Sequence, residues 1–79
     1  MKAYGHIVKE IDRTGLCELK DVSFKASPNV LRSMAALFLK GADLMDKNGK
    51  KFEGLHLKDS WKQWRDDYPD VIIVNEEDS

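Results

Sequence analysis

Ser27-Pro28-Asn29-Val30-Leu31-Arg32-Ser33-Met34-Ala35-Ala36-Leu37-Phe38-Leu39-Lys40-Gly41-Ala42-Asp43-Leu44-Met45-Asp46-Lys47-Asn48-Gly49 is the stretch that decides the fold. Serine is a good N-cap, and proline suits the first helical position, where its missing N–H costs nothing. A long helix is therefore predicted from Pro28 to about Lys47. Setting successive residues 100° apart tests it: with Met34 at zero, Val30, Leu31, Leu37, Phe38, Leu44 and Met45 fall within about 80° of it. Arg32, Lys40, Asp43, Asp46 and Lys47 fall on the other side, so the helix is amphipathic. Gly41 lies on the apolar face, where helix propensity disfavours it by about 1 kcal/mol relative to alanine. Its value there is close approach: the helix can lie tight against a neighbouring layer. Asn48-Gly49 reads as the stop, with glycine at the C-cap.

Upstream of this helix, Lys2 to Ile11 mixes β-branched, aromatic and charged residues in alternation, as a strand does. Asp12-Arg13-Thr14-Gly15 reads as a tight turn with Gly15 at positive φ. A second strand is predicted from Leu16 to about Ala26. Its alternation changes phase at Lys20-Asp21, where a β-bulge would restore one apolar face. Downstream, Lys50 to Gly54 reads as a polar loop. Leu57, Trp61, Trp64 and Tyr68 then recur at i, i+4, i+7 and i+11, one side of a short helix that Asp59 or Ser60 could cap and Pro69 would stop. Val71-Ile72-Ile73-Val74 has no polar face and is predicted to be a strand covered on both sides. Asn75 to Ser79 reads as an acidic, frayed tail.

The expected architecture is therefore α+β. One long helix covers a small three-stranded sheet, made of the N-terminal antiparallel hairpin and the C-terminal strand. A short Trp-bearing helix precedes that last strand. The 79 residues fit one small domain, residues 1–79, of modest stability. No apolar run approaches the ~20 residues needed to cross a bilayer. The N-terminus has no signal-peptide pattern, so a cytoplasmic location with no membrane partner is expected. A single cysteine, Cys17, forms no internal disulfide and suits a small packed side chain.

No catalytic signature is visible, and no cofactor or metal is expected. His6, His56 and Cys17 lack ligand spacing, and Gly49-Lys50-Lys51 lacks the phosphate-loop pattern. Asp66, Asp67 and Asp70 read as a solvated acidic turn rather than a cation site, since their spacing is not that of a calcium loop. The informative segment is Trp61 to Tyr68. Its indoles could complete a small core, form a protein-binding surface in which Trp, Tyr and Arg act as hot spots, or stack on nucleic-acid bases. The candidate partner-binding residues are Trp61, Trp64, Arg65, Asp66, Asp67 and Tyr68. A rival nucleic-acid surface would use Lys50, Lys51, Lys58, Lys62 and Arg65, but the net charge of −1 and the neighbouring aspartates oppose it. That charge is a cancellation: Met1 to Lys58 carries 11 basic and 7 acidic residues, and Asp59 to Ser79 carries 2 basic and 7 acidic.

The run from Asp21 to Arg32, the helix stretch Met34 to Met45, the segment Leu55-His56-Leu57 and the strand Pro69-Asp70-Val71-Ile72-Ile73-Val74 together resemble a group of small bacterial proteins. These are the immunity proteins of polymorphic toxins, specifically the group numbered thirty-two. The likeness covers roughly Val22 to Val74. It implies a non-enzymatic protein that binds and blocks a cognate toxin; the alternative is self-association as a homodimer.

Overall fold

The computed structural model describes residues 1–11 and 13–76. Its elements follow in the order β1 (Lys2–Tyr4), β2 (Ile7–Glu10), β3 (Cys17–Leu19), β4 (Ser23–Lys25), α1 (Pro28–Asn48), a 3₁₀ turn (Gly49–Lys51), β5 (Leu55–His56), α2 (Leu57–Ser60) and β6 (Ile72–Ile73). The protein is α+β with one long helix. It does not form the expected three-stranded sheet: β1 pairs with β4, β2 with β3 and β5 with β6, each antiparallel and each a two-stranded unit. The last strand joins β5, from the two residues between the expected polar loop and the expected short helix, rather than the N-terminal hairpin.

α1 starts and stops as its local chemistry requires. The Ser27 side chain accepts from Val30 N at 3.4 Å, Pro28 opens the helix, and Gly49 takes φ +55° with its N–H on Met45 O. Val30, Met34, Leu37 and Gly41 are buried along one line of the helix. A Cβ on Gly41 would lie 3.2 Å from Ile73 Cδ1, so the missing side chain is what lets β6 lie against the helix. The other flank of the apolar stripe is uncovered, with Leu31 and Phe38 each 47% exposed.

The core is small. Val30, Met34, Leu37 and Leu57 are its buried centre, and Met1, Phe24, Ala26, Leu55, Trp61, Trp64, Val71 and Ile73 pack around it. Two expectations fail here. Phe52 is buried, so the segment after the helix is anchored by an aromatic ring rather than being a loose polar loop. The last strand is covered on one side only: Val71 and Ile73 are half-buried, while Ile72 and Val74 face solvent. An apolar run of four does not guarantee two covering layers when the partner strand is two residues long. The expected acidic tail begins with Asn75, which is half-buried and donates to Gly49 O at 3.4 Å; Glu77 to Ser79 lie outside the described residues.

β1 to β4 form one long hairpin with a crimp. Lys2, Ala3 and Tyr4 face Lys25, Phe24 and Ser23, and Lys9 and Glu10 face Glu18 and Cys17. Between these ladders, Ile7 faces Leu19, one residue out of step. On the return strand, Lys20, Asp21 and Val22 span the same gap as Gly5 and His6. Val8 is the compensating extra residue on the outgoing strand, so the two slips cancel and the outer ladder recovers the inner register. The predicted phase change at Lys20-Asp21 is thus a real irregularity of the ladder. It does not produce a covered apolar face, because Leu19 and Val22 remain exposed.

The crimp depends on Gly5. A Cβ there would lie 2.6 Å from the Asp21 carbonyl oxygen and 3.0 Å from Leu19 Cδ1. The carbonyl is backbone and cannot rotate away. Gly5→Ala is therefore expected to cost about 1–3 kcal/mol, the range for a methyl forced into filled space. It should also loosen the bond from Lys20 N to His6 O, now 2.9 Å. Thermal unfolding together with exchange of the Lys20 amide checks this; an unchanged midpoint and unchanged protection would mean that the crimp accepts a side chain.

Candidate functional site

The segment after α2 carries the aromatic and charged residues singled out in the sequence. α2 is one turn long and ends at Trp61, whose N–H bonds to Leu57 O. Neither Asp59 nor Ser60 caps it; His56 holds the N-cap position without a side-chain bond. The spacing of Leu57, Trp61, Trp64 and Tyr68 does not come from a continuing helix. Successive turns run instead, closed by Trp64 N to Trp61 O at 3.1 Å and Tyr68 N to Arg65 O at 2.9 Å.

These turns bring the aromatic groups together by another route. Trp61 stacks on Tyr68 with ring centroids 6.0 Å apart and planes 17° from parallel. The Arg65 guanidinium lies 5.9 Å from the Tyr68 ring centre, on its face, a cation–π arrangement. Arg65 Nε also reaches Asp67 Oδ1 at 3.4 Å. Trp64 Nε1 donates to Pro69 O at 3.2 Å, satisfying its polar edge while its body packs on the core. Both indoles are half-buried and touch the core, and Asp66 and Asp67 are exposed. Trp61 lines a mainly apolar groove together with Leu57 and Ser60 of α2 and Ser33, Ala36, Leu37 and Lys40 of α1. Lys50 and Lys51 are exposed on the 3₁₀ turn, while Lys58 is exposed on α2 and Lys62 just after it.

Asp70, read in the sequence with Asp66 and Asp67 as a solvated turn, behaves differently from both. The side chain is only 18% exposed and lies 2.6 Å from His56 Nδ1 through Oδ2. Asp70 Oδ1 accepts from Lys58 N at 3.0 Å. One carboxylate thereby joins the end of β5, the start of α2 and the approach to β6. Burial alone would push this carboxyl up. The Lys58 backbone bond, the His56 hydrogen bond and the charges of His56 and Lys58 outweigh burial and hold it below its ordinary 3.8.

A second histidine–aspartate pair holds the crimp. His6 Nδ1 lies 2.8 Å and 3.0 Å from the two Asp21 oxygens, and His6 N donates to Asp21 Oδ1 at 3.1 Å. The Cys17 thiol takes no part in this pair; its Sγ donates to Gly15 O at 3.3 Å. His6 is 82% exposed, so this pair is screened and contributes little to stability, unlike His56 with Asp70. Sequence spacing hides both pairs, because each spans 14 or 15 residues across a hairpin. The usable signal was strand pairing: once β5 lies against β6, with His56 opposite Ile72, Asp70 is two residues from the partner position.

Among the described residues no group of three or more His, Cys, Asp or Glu is placed to hold a metal ion. No helix among them is long and apolar enough to cross a membrane. Compared with family models, curated proteins and solved structures, the chain matches none of them.

Proposed function

We propose that this protein is a non-enzymatic protein-binding module, of the immunity type in which a small protein sits on and blocks a cognate bacterial toxin. The observation that supports this reading is the Trp61–Tyr68 stack with Arg65 across it, standing beside an apolar groove. Trp, Tyr and Arg are the residue types that dominate protein-binding hot spots, and such hot spots lie against apolar pockets with a polar rim. Here Asp66, Asp67 and Lys62 supply the rim.

Arg65 is the residue to test, because Trp61 and Trp64 also pack on the core and their removal would confound folding with binding. Arg65→Ala is expected to weaken the partner complex by about 2 kcal/mol or more, roughly thirty-fold, with the far-ultraviolet circular dichroism unchanged. Isothermal titration against the partner that co-purifies in stoichiometric amount with the wild-type protein measures it. An Arg65→Ala variant that binds that partner as tightly as wild type would remove this face from the interface. Titration with DNA and RNA at low salt is the companion measurement; tight binding that weakens steeply with salt would replace a protein partner with a nucleic acid.

A further inference from the structure

The chain exposes 6539 Å². A compact monomer of 9.1 kDa exposes about 4,900 Å², so the excess is roughly 1,600 Å². Its radius of gyration is 13.6 Å against about 11.6 Å for a compact chain of 79 residues. The N-terminal hairpin contributes to both departures. Every described residue from Gly5 to Ser23 except Cys17 is exposed, so the outer hairpin of β2 and β3 stands away from the core. It carries Ile7, Val8, Ile11, Leu16 and Leu19 into solvent, each at least 48% exposed. Ile7 and Leu19 face each other across the strands and share one face of the arm. Ile11, whose N bonds to Leu16 O at 2.7 Å, and Leu16 lie on the other face, so the arm is apolar on both sides.

A lone two-stranded hairpin is marginal in water; it needs further strands or a helix against it, here against the face that carries Ile7 and Leu19. The uncovered flank of α1, with Leu31 and Phe38, lacks a layer in the same way. Within one chain these two surfaces do not cover one another. We infer that a second copy of this chain covers them, each hairpin arm lying on the α1 flank of its partner. A two-fold axis makes such an exchange reciprocal: arm on flank implies flank on arm. The excess of about 1,600 Å² per chain is twice the ~800 Å² that a standard interface takes from each partner and falls in the range of obligate dimers, about 1,000–2,500 Å² per partner. This surface is separate from Arg65 and its groove, so the dimer and the proposed function stand or fall independently.

Sedimentation equilibrium of the full chain, from low micromolar to submillimolar concentration, tests it. The expected mass is twice 9.1 kDa. Ile7→Lys on the arm and Phe38→Lys on the flank are each expected to raise the dimer dissociation constant at least about ten-fold, while Arg65→Ala leaves it unchanged. Circular dichroism at each concentration reports whether a variant keeps its helix, and Ile7→Thr replaces Ile7→Lys if the lysine variant does not. A monomer throughout the range overturns the inference. So does a dimer that tolerates either the arm or the flank variant.

Discussion

Leu57→Ala should remove about 3 kcal/mol of stability, a large share of the roughly 4–12 kcal/mol that a domain of this size possesses. Leu57 is 1% exposed and sits where the chain passes from β5 into α2. Its N–H bonds to Val71 O at 2.8 Å, so its backbone is fixed between the last hairpin and the helix. Its side chain completes the buried centre with Val30, Met34 and Leu37. Truncation loses transfer energy and leaves a cavity, because a backbone held this way cannot follow the missing atoms inward. Few other buried side chains exist to absorb the loss. Leu39→Ala is the matched control: Leu39 lies on α1 at 68% exposure, and its truncation should change stability by no more than about 0.5 kcal/mol. Urea unfolding followed by tryptophan fluorescence reads both, since Trp61 and Trp64 pack on this centre. Because a dimer would couple unfolding to concentration, all proteins are compared at one concentration. Equal midpoints for Leu57→Ala and Leu39→Ala would show that the core lies elsewhere.

α1 was readable because its signals are local. Ser27, Pro28 and Gly49 act on atoms within one turn of themselves, and a 100° projection needs no knowledge of the rest of the chain. Even the role of Gly41 followed, since a glycine on the apolar face of a helix points to a close neighbour, here Ile73. What the projection could not show was that only half of the stripe is covered. Coverage depends on where the hairpin goes, and a hairpin that stands free of the helix has the same alternation as one that packs. The strand pairing failed for a related reason. Val71 to Val74 is apolar enough to sit in a three-stranded sheet, but its partner is Leu55–His56, a pair of residues too short to announce itself as a strand.

The aromatic segment shows how a correct grouping can rest on an incorrect element. Trp61 and Tyr68 are seven residues apart, two turns of a helix, and they do meet. They meet through turns closed at Trp64 and Tyr68, which return the chain to the same side that a helix would have reached. Periodicity tests the separation of residues along a face, not the path between them. The acidic cluster is the converse. Asp66, Asp67 and Asp70 look alike in sequence, and only the pairing of β5 with β6 separates the half-buried carboxylate from the two exposed ones.

That separation has a measurable consequence in acid. The folded protein holds the Asp70 carboxyl below its ordinary 3.8, so the unfolded chain binds the proton more readily. A group lowered in this way contributes stability above its unfolded value and loses it as pH falls through the folded one. Wild-type protein should therefore weaken as pH drops below about 4, beyond any general effect of acid on the exposed carboxylates. Two substitutions divide the cause. Asp70→Ala removes both acceptor oxygens and with them two hydrogen bonds to a charged acceptor, from Lys58 N and His56 Nδ1, and should cost about 2 kcal/mol at neutral pH. Asp70→Asn keeps an oxygen for Lys58 N and loses the charge, so it should cost less at neutral pH. Both variants should lose the added acid sensitivity; the Asp70→Asn curve should converge on wild type as pH falls, while Asp70→Ala should draw closer but stay below it, because protonated Asp70 still offers an oxygen to Lys58 N. Urea midpoints measured from neutral pH down to about pH 2.5 record this. Parallel wild-type and Asp70→Asn profiles would mean that the charge contributes nothing, leaving Asp70 as an acceptor that any amide could replace.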